Sequence, residues 1–145
     1  MKKVNHLLLT ALLLISVTGC GSHDSPVQGS QPEILNEYFE AFNNHDVNAL
    51  SAMASEDIRL MSLTPDTMTV DLTGREQMET WLEGYFKSLP NVRSGYSGLI
   101  VREPFFSFIE TAQWGPDSAR KQQSSMATYL IEDDKIQRVW YYYPE

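Results

Sequence analysis

Cysteine is almost missing from this chain: Cys20 is the only one among 145 residues. No disulfide within the chain is possible, so stability must come from packing. Basic residues are also scarce, with 11 Lys and Arg against 19 Asp and Glu and a net charge of −8. Nucleic-acid binding depends on Lys and Arg neutralising phosphates, and this balance argues against it. It argues equally against lying flat on anionic lipid. Histidines number three, and of these His23 sits in a Gly/Ser-rich stretch and His45 between two helical patterns. A metal site needs several converging His, Cys or carboxylate ligands, and none is implied; nor is any other cofactor. Glu132, Asp133 and Asp134 read as a solvated turn rather than a cation site. There is no G-x-S-x-G nucleophile elbow and no phosphate-binding glycine loop.

One apolar run is present. It extends from Leu7 to Val17 behind Lys2 and Lys3 and closes on Val17, Thr18, Gly19 and Cys20. It is shorter than the roughly 20 residues that a spanning helix needs, and its basic start and small-residue end are those of a secretory signal. The end resembles a bacterial lipobox. The resemblance implies cleavage before Cys20 and a diacylglycerol on its sulfur. Gly21 after the cysteine implies an outer-membrane lipoprotein facing the periplasm, if the cell is Gram-negative. Loss of residues 1–19 removes Lys2 and Lys3, taking the charge from −8 to −10. The mature chain, about 125 residues, fits one domain with one core.

Three segments follow from this reading: a signal over 1–19, a lipidated cysteine and flexible tether over 20–31, and a folded domain over 32–145. The tether is Gly- and Ser-rich and spans on the order of 20 Å as a random coil. In the domain, Ile34, Leu35, Tyr38, Phe39 and Phe42 recur at helical spacing. Asp46 is placed to cap a second helix carrying Val47, Leu50, Met53 and Ala54 inward. Short strands are predicted over 58–62 and 69–72. Thr73, with Glu76 three residues later, reads as a capping box for a third helix with Met78, Trp81, Leu82, Tyr85, Phe86 and Leu89 on its apolar stripe. Pro90 stops it. Strand patterns then occupy 96–102, 105–114, 123–131 and 135–143, with a tight turn at Asp133 and Asp134. The order is α+β.

This order, with Tyr38 to Asp46 and Leu50, Glu56-Asp57-Ile58, Gly74 to Met78, Lys135-Ile136 and Trp140 to Tyr143, resembles the nuclear transport factor 2 superfamily in its SnoaL-like and ketosteroid-isomerase-like branch. The resemblance implies a cone-like curved mixed β-sheet packed around three α-helices from the N-terminal half, with an open apolar mouth; homodimers are common. Isomerases of the branch use a tyrosine on the first helix, which falls on Tyr38. Their aspartate base falls at or next to Ser62, and their second acid at Ser125 or Met126. Neither position holds a carboxylate, and Ser and Met do not take a proton from carbon near neutral pH.

Two other acids come into question as a base. Glu110 lies in an apolar strand, although exposure to solvent or pairing with Arg138 or Lys135 is the simpler expectation; Asp71 is the other. Arg59 and Arg102 are expected to pair outward rather than meet an anionic ligand. Aromatic residues are the remaining asset. Tyr38, Trp81, Tyr85, Trp114, Val139, Tyr141 and Tyr143 are the residues placed to line the cone, where Tyr and Trp combine an apolar face with a polar tip. The sequence thus favours a binding module for a small apolar ligand or a partner protein over an enzyme. The alternatives are a SnoaL-like isomerase, cyclase or hydratase with a non-standard base, and a dimerising module using the outer sheet face. If Cys20 is the anchor, labelled palmitate is incorporated into the wild-type chain and not into Cys20→Ala; equal labelling of the two removes the anchor.

Overall fold

The computed structural model describes residues 33–143. The apolar run, Cys20 and the tether lie outside the described residues. Three helices pack against one face of a six-stranded curved sheet, in the order α1 (Glu33–Asn43), α2 (Val47–Met53), β1 (Ala54–Leu63), β2 (Met68–Thr73), α3 (Arg75–Ser88), β3 (Arg93–Arg102), β4 (Phe105–Trp114), β5 (Lys121–Glu132) and β6 (Lys135–Tyr142), with a single 3-10 turn over Asp117–Ala119. The strand order across the sheet is β2-β1-β6-β5-β4-β3. Only the β1–β6 pair is parallel; its register places Leu60 beside Val139 and Ser62 beside Tyr141. The fold is the α+β cone expected from the sequence.

The helices form where their apolar spacing meets the sheet. Leu35, Phe39 and Phe42 of α1 are buried while Glu33, Glu37 and Glu40 are exposed, the one-sided stripe of an amphipathic helix. Asp46 caps α2: its Oδ1 accepts from the Ala49 amide at 2.9 Å, satisfying one of the helix's free N–H groups. Met78, Leu82 and Phe86 are the buried positions of α3. Two expectations are corrected. Thr73 does not cap α3. It ends β2, and its amide is taken by the Gln77 side chain at 2.9 Å. The capping position is Gly74, whose φ of 87° suits glycine and whose amide donates to the Ile58 carbonyl at 2.7 Å. That bond ties the helix start to β1 and keeps Thr73 in the strand. Ala54 belongs to β1, not α2: its carbonyl accepts from Arg75 Nη2 at 3.0 Å, and it pairs with Ile136 of β6, so the chain is extended from there on.

The sheet bends where its register slips, between Leu60 and Met61 in β1, between Ser97 and Ile100 in β3, and between Leu130 and Ile131 in β5. Such bulges increase local twist and kink a strand. Asp133 and Asp134 both adopt positive φ, 52° and 55°, as a two-residue hairpin between strands requires. The core fills the narrow end of the cone with Leu35, Leu50, Leu82, Phe108, Tyr129 and Ile136, each at most 2% exposed. Truncating Leu82 to alanine is expected to cost about 2–5 kcal/mol by urea denaturation. A cost near zero would show that α3 does not close this core.

Candidate functional site

Strand alternation decides what reaches the inside of the cone. On β4, Phe106 and Phe108 enter the core; two residues further along the same face is Glu110, and beyond it Ala112 and Trp114 line a hollow. Ser125 of β5 stands opposite Glu110, and Gln123 stands opposite Ala112. On β6, Val139 is core, and Tyr141 follows it toward the wide end. The hollow arises where Ala112 and Ser125, two small residues, stand two inward steps out from Phe108 on β4 and Tyr129 on β5. It holds about 290 Å³ and is bordered on the helix side by Tyr38, Phe42, Trp81, Tyr85 and Leu89. Trp81 and Tyr85 are stacked at 5.0 Å and 14°; Tyr141 and Tyr143 lie 6.1 Å apart at 30°.

Glu110 is the buried acid of this hollow, 9% exposed. Ser94 Oγ donates to its Oε1 at 2.8 Å. Tyr141 and Tyr129 donate to its Oε2 at 2.9 and 3.3 Å, and the two tyrosine hydroxyls are 3.1 Å apart. Burial pushes the Glu110 carboxyl above its ordinary range, and the three hydroxyl donors pull in the opposite direction. Burial, followed by the negative charge of Glu110, raises the hydroxyls of Tyr38, Tyr129 and Tyr141. These tyrosines therefore hold their protons, and the carboxyl is the group that titrates.

Glu110 is neither in solvent nor paired with a cation, as the simpler expectation had it. Arg138 instead reaches Asp57 at 3.2 Å, whose carboxyl it holds below the usual range chiefly through that hydrogen bond. Lys135 donates to the Ala52 carbonyl. Their side chains are engaged at β1 and the end of α2, outside the hollow. Asp71 is exposed on β2 and accepts from Ser62 at 2.5 Å; it does not line the hollow and so is not placed as a base there. Arg59 and Arg102 are exposed and outside the lining. Tyr38, Trp81, Tyr85, Trp114, Tyr141 and Tyr143 all line the hollow, and Val139 does not. Val139 lies one inward step deeper than Tyr141, pairs with Leu60 and Tyr129, and is covered at 3% exposure. Phe42, Leu60, Leu89, Ala112, Gln123 and Ser125 complete the lining. The period-two run from Phe106 to Trp114 was the signal that places Glu110 and Ala112 on the inner face. His45 is structural, with its ring stacked on Phe86 at 4.3 Å and Nε2 3.1 Å from the Val92 carbonyl. Among the described residues there is no cluster of metal-ligating side chains and no helix long and apolar enough to cross a membrane.

A helix-lined curved sheet with a polar group at the bottom of an apolar hollow defines a cone-type α+β domain. The SnoaL-like domain family model matches residues 35–139, and the chain belongs to that family. Solved structures share the fold. An uncharacterised cystatin-fold protein from Novosphingobium aromaticivorans is 20% identical, with a TM-score of 0.64 over 75% of this chain and 94% of that one. A candidate ketosteroid isomerase from Kribbella flavida is 19% identical, with a TM-score of 0.61 over 77% and 76%. A Catenulispora acidiphila protein with a ketosteroid isomerase-like fold, in complex with trimethylamine, is 17% identical, with a TM-score of 0.62 over 79% and 88%. Comparison with curated proteins gave no match.

The raised Glu110 has a thermodynamic signature. A carboxyl whose folded pKa exceeds its unfolded one contributes stability in full below the unfolded pKa, and loses it as pH rises through the folded one. The wild type is therefore expected to lose stability relative to Glu110→Gln as pH increases from about 4, by urea denaturation across a pH series. A difference independent of pH would mean that Glu110 is not perturbed.

Proposed function

We propose that this protein is a membrane-anchored envelope lipoprotein whose cone binds a small, largely apolar ligand. The observation that carries the binding reading is the hollow itself: about 290 Å³, close to the lower end of the roughly 300–1,000 Å³ usual for ligand pockets. Its walls are mainly aromatic and its one buried carboxyl is Glu110. Aromatic walls give affinity through buried area, and a few placed polar groups fix orientation. The anchor rests on Cys20 and the lipobox-like residues before it. A single acyl chain holds a protein to a membrane only marginally, at about 10⁴ M⁻¹, whereas a multiply acylated cysteine holds it stably. The domain then works within tether reach of one membrane surface. Pairing of two copies across the outer sheet face belongs to the same proposal; Ile109 and Met126, neighbours there, are 41% and 46% exposed.

A second reading has its own support. Glu110 is a buried carboxyl with a raised pKa that opens onto a cavity, the arrangement expected of a general acid or base. In that case it takes over the proton-transfer role left vacant at or next to Ser62 and at Ser125 or Met126, with Tyr38 and Tyr141 beside it as proton-holding hydroxyls.

Binding is tested by titrating the intact chain in non-ionic detergent with a neutral naphthyl ketone while following tryptophan fluorescence. Saturable quenching is expected. The double substitution Ala112→Leu and Ser125→Leu fills the hollow and is expected to weaken binding by about tenfold or more while circular dichroism is unchanged. Equal affinity in the filled variant would place the probe outside the cone and overturn the reading.

A further inference from the structure

The charge of the hollow is one-sided. No Lys, Arg or His lines it, and the two ion pairs among the described residues, Arg120 with Asp117 and Arg138 with Asp57, lie elsewhere. Glu110 is satisfied only by neutral hydroxyls, those of Ser94, Tyr129 and Tyr141. Those donors are directed at the carboxylate, and the other polar lining groups, Gln123, Ser125 and the hydroxyls of Tyr38, Tyr85 and Tyr143, are neutral. The one formal charge the lining offers is the negative charge of Glu110. A buried carboxylate hydrogen-bonded but without a counter-charge is incompletely compensated, and a cation entering the hollow supplies what the chain does not. The walls suit the same guest. The π faces of Trp and Tyr attract cations, most strongly where water is excluded, and Tyr38, Trp81, Tyr85, Trp114, Tyr141 and Tyr143 approach from α1, α3, β4 and the end of β6. The overall charge of −8 favours approach of a cation as well.

We propose that the cone selects a small organic cation, an alkylammonium group, held over the Glu110 carboxylate within the ring of tyrosines and tryptophans. This deepens the ligand-binding reading and rests on it. The hollow limits the guest to a compact head group with short apolar substituents. A strongly hydrated inorganic cation gains little from such walls; methyl or methylene groups around an ammonium nitrogen fill them.

The test compares choline with its neutral isostere 3,3-dimethylbutan-1-ol, which has the same shape without the charge. Each is titrated into the intact chain in non-ionic detergent and followed by tryptophan fluorescence and by saturation-transfer NMR. Choline is expected to bind at least about tenfold more tightly than the isostere. Glu110→Gln is expected to collapse that preference. Glu110→Asp keeps the charge and is expected to retain most of it, which separates loss of charge from loss of folding. Trp114→Leu, which keeps an apolar wall but removes a π face, narrows the preference. Equal affinity for the two probes, or an unchanged preference in Glu110→Gln, overturns the cation proposal. If the isostere and the naphthyl ketone bind but choline does not, the cation proposal fails and the ligand-binding reading stands. If none of the three binds, both fail.

Discussion

The structure depends on one pairing, the parallel contact between β1 and β6. The chain builds two pieces locally: α1, α2, the β1–β2 hairpin and α3 on one side, and the antiparallel run β3 to β6 on the other. Only β1 against β6 joins them into one sheet. That junction puts Leu60 next to Val139 and brings Tyr141 and Tyr143 under α3. Without it the helices would cover half a sheet, and the hollow would have no closed wall. Parallel pairing joins segments far apart in the chain, so its formation is costly in chain entropy and must be repaid by the core it encloses.

The cone is solid at one end and open at the other, and the change is graded along each strand. On β4 the inner residues run Phe106, Phe108, Glu110, Ala112, Trp114. On β5, read in the opposite direction, they run Tyr129, Ala127, Ser125, Gln123. Glu110 sits at the step where packed side chains give way to space. Further in, its carboxyl would cost more than the three hydroxyls return. Further out, water would reach it and its pKa would fall back. Its position at the boundary is what makes it both buried and reachable.

Much of this was legible in the residues. Helical spacing gave α1 and α3, Asp46 marked the start of α2, and Asp133-Asp134 marked the last hairpin; these are local signals, decided within a few residues. Which strand side chains share a face was also readable from alternation, as with Trp114 on β4 and Tyr141 on β6, whereas the helix residues Tyr38, Trp81 and Tyr85 were placed at the cone only through the family resemblance. Three things were not. The capping role moved from Thr73 to Gly74 because a bond to Ile58, in another strand, outranks the local capping box. Val139 and Tyr141 share a face, and only the depth of the core separates a packed residue from a lining one. Glu110 looked like a surface acid because its partners, Ser94, Tyr129 and Tyr141, are 16, 19 and 31 residues away. The nearby cations that suggested an ion pair are engaged on β1 and α2 instead. Local sequence reports what a residue prefers, whereas the sheet register determines what it meets.

The three tryptophans are divided between the two faces of the sheet. Trp81 and Trp114 border the hollow, whereas Trp140 is one residue out of phase with Tyr141 and packs near Phe105 on the other face, with ring centres 6.2 Å apart. The protein thus carries separate built-in chromophores for its inside and its outside. Occupancy of the cone and contact at the outer face alter different indoles, so a variant lacking Trp140 and a variant lacking the inner pair would resolve the two events optically in one unlabelled chain.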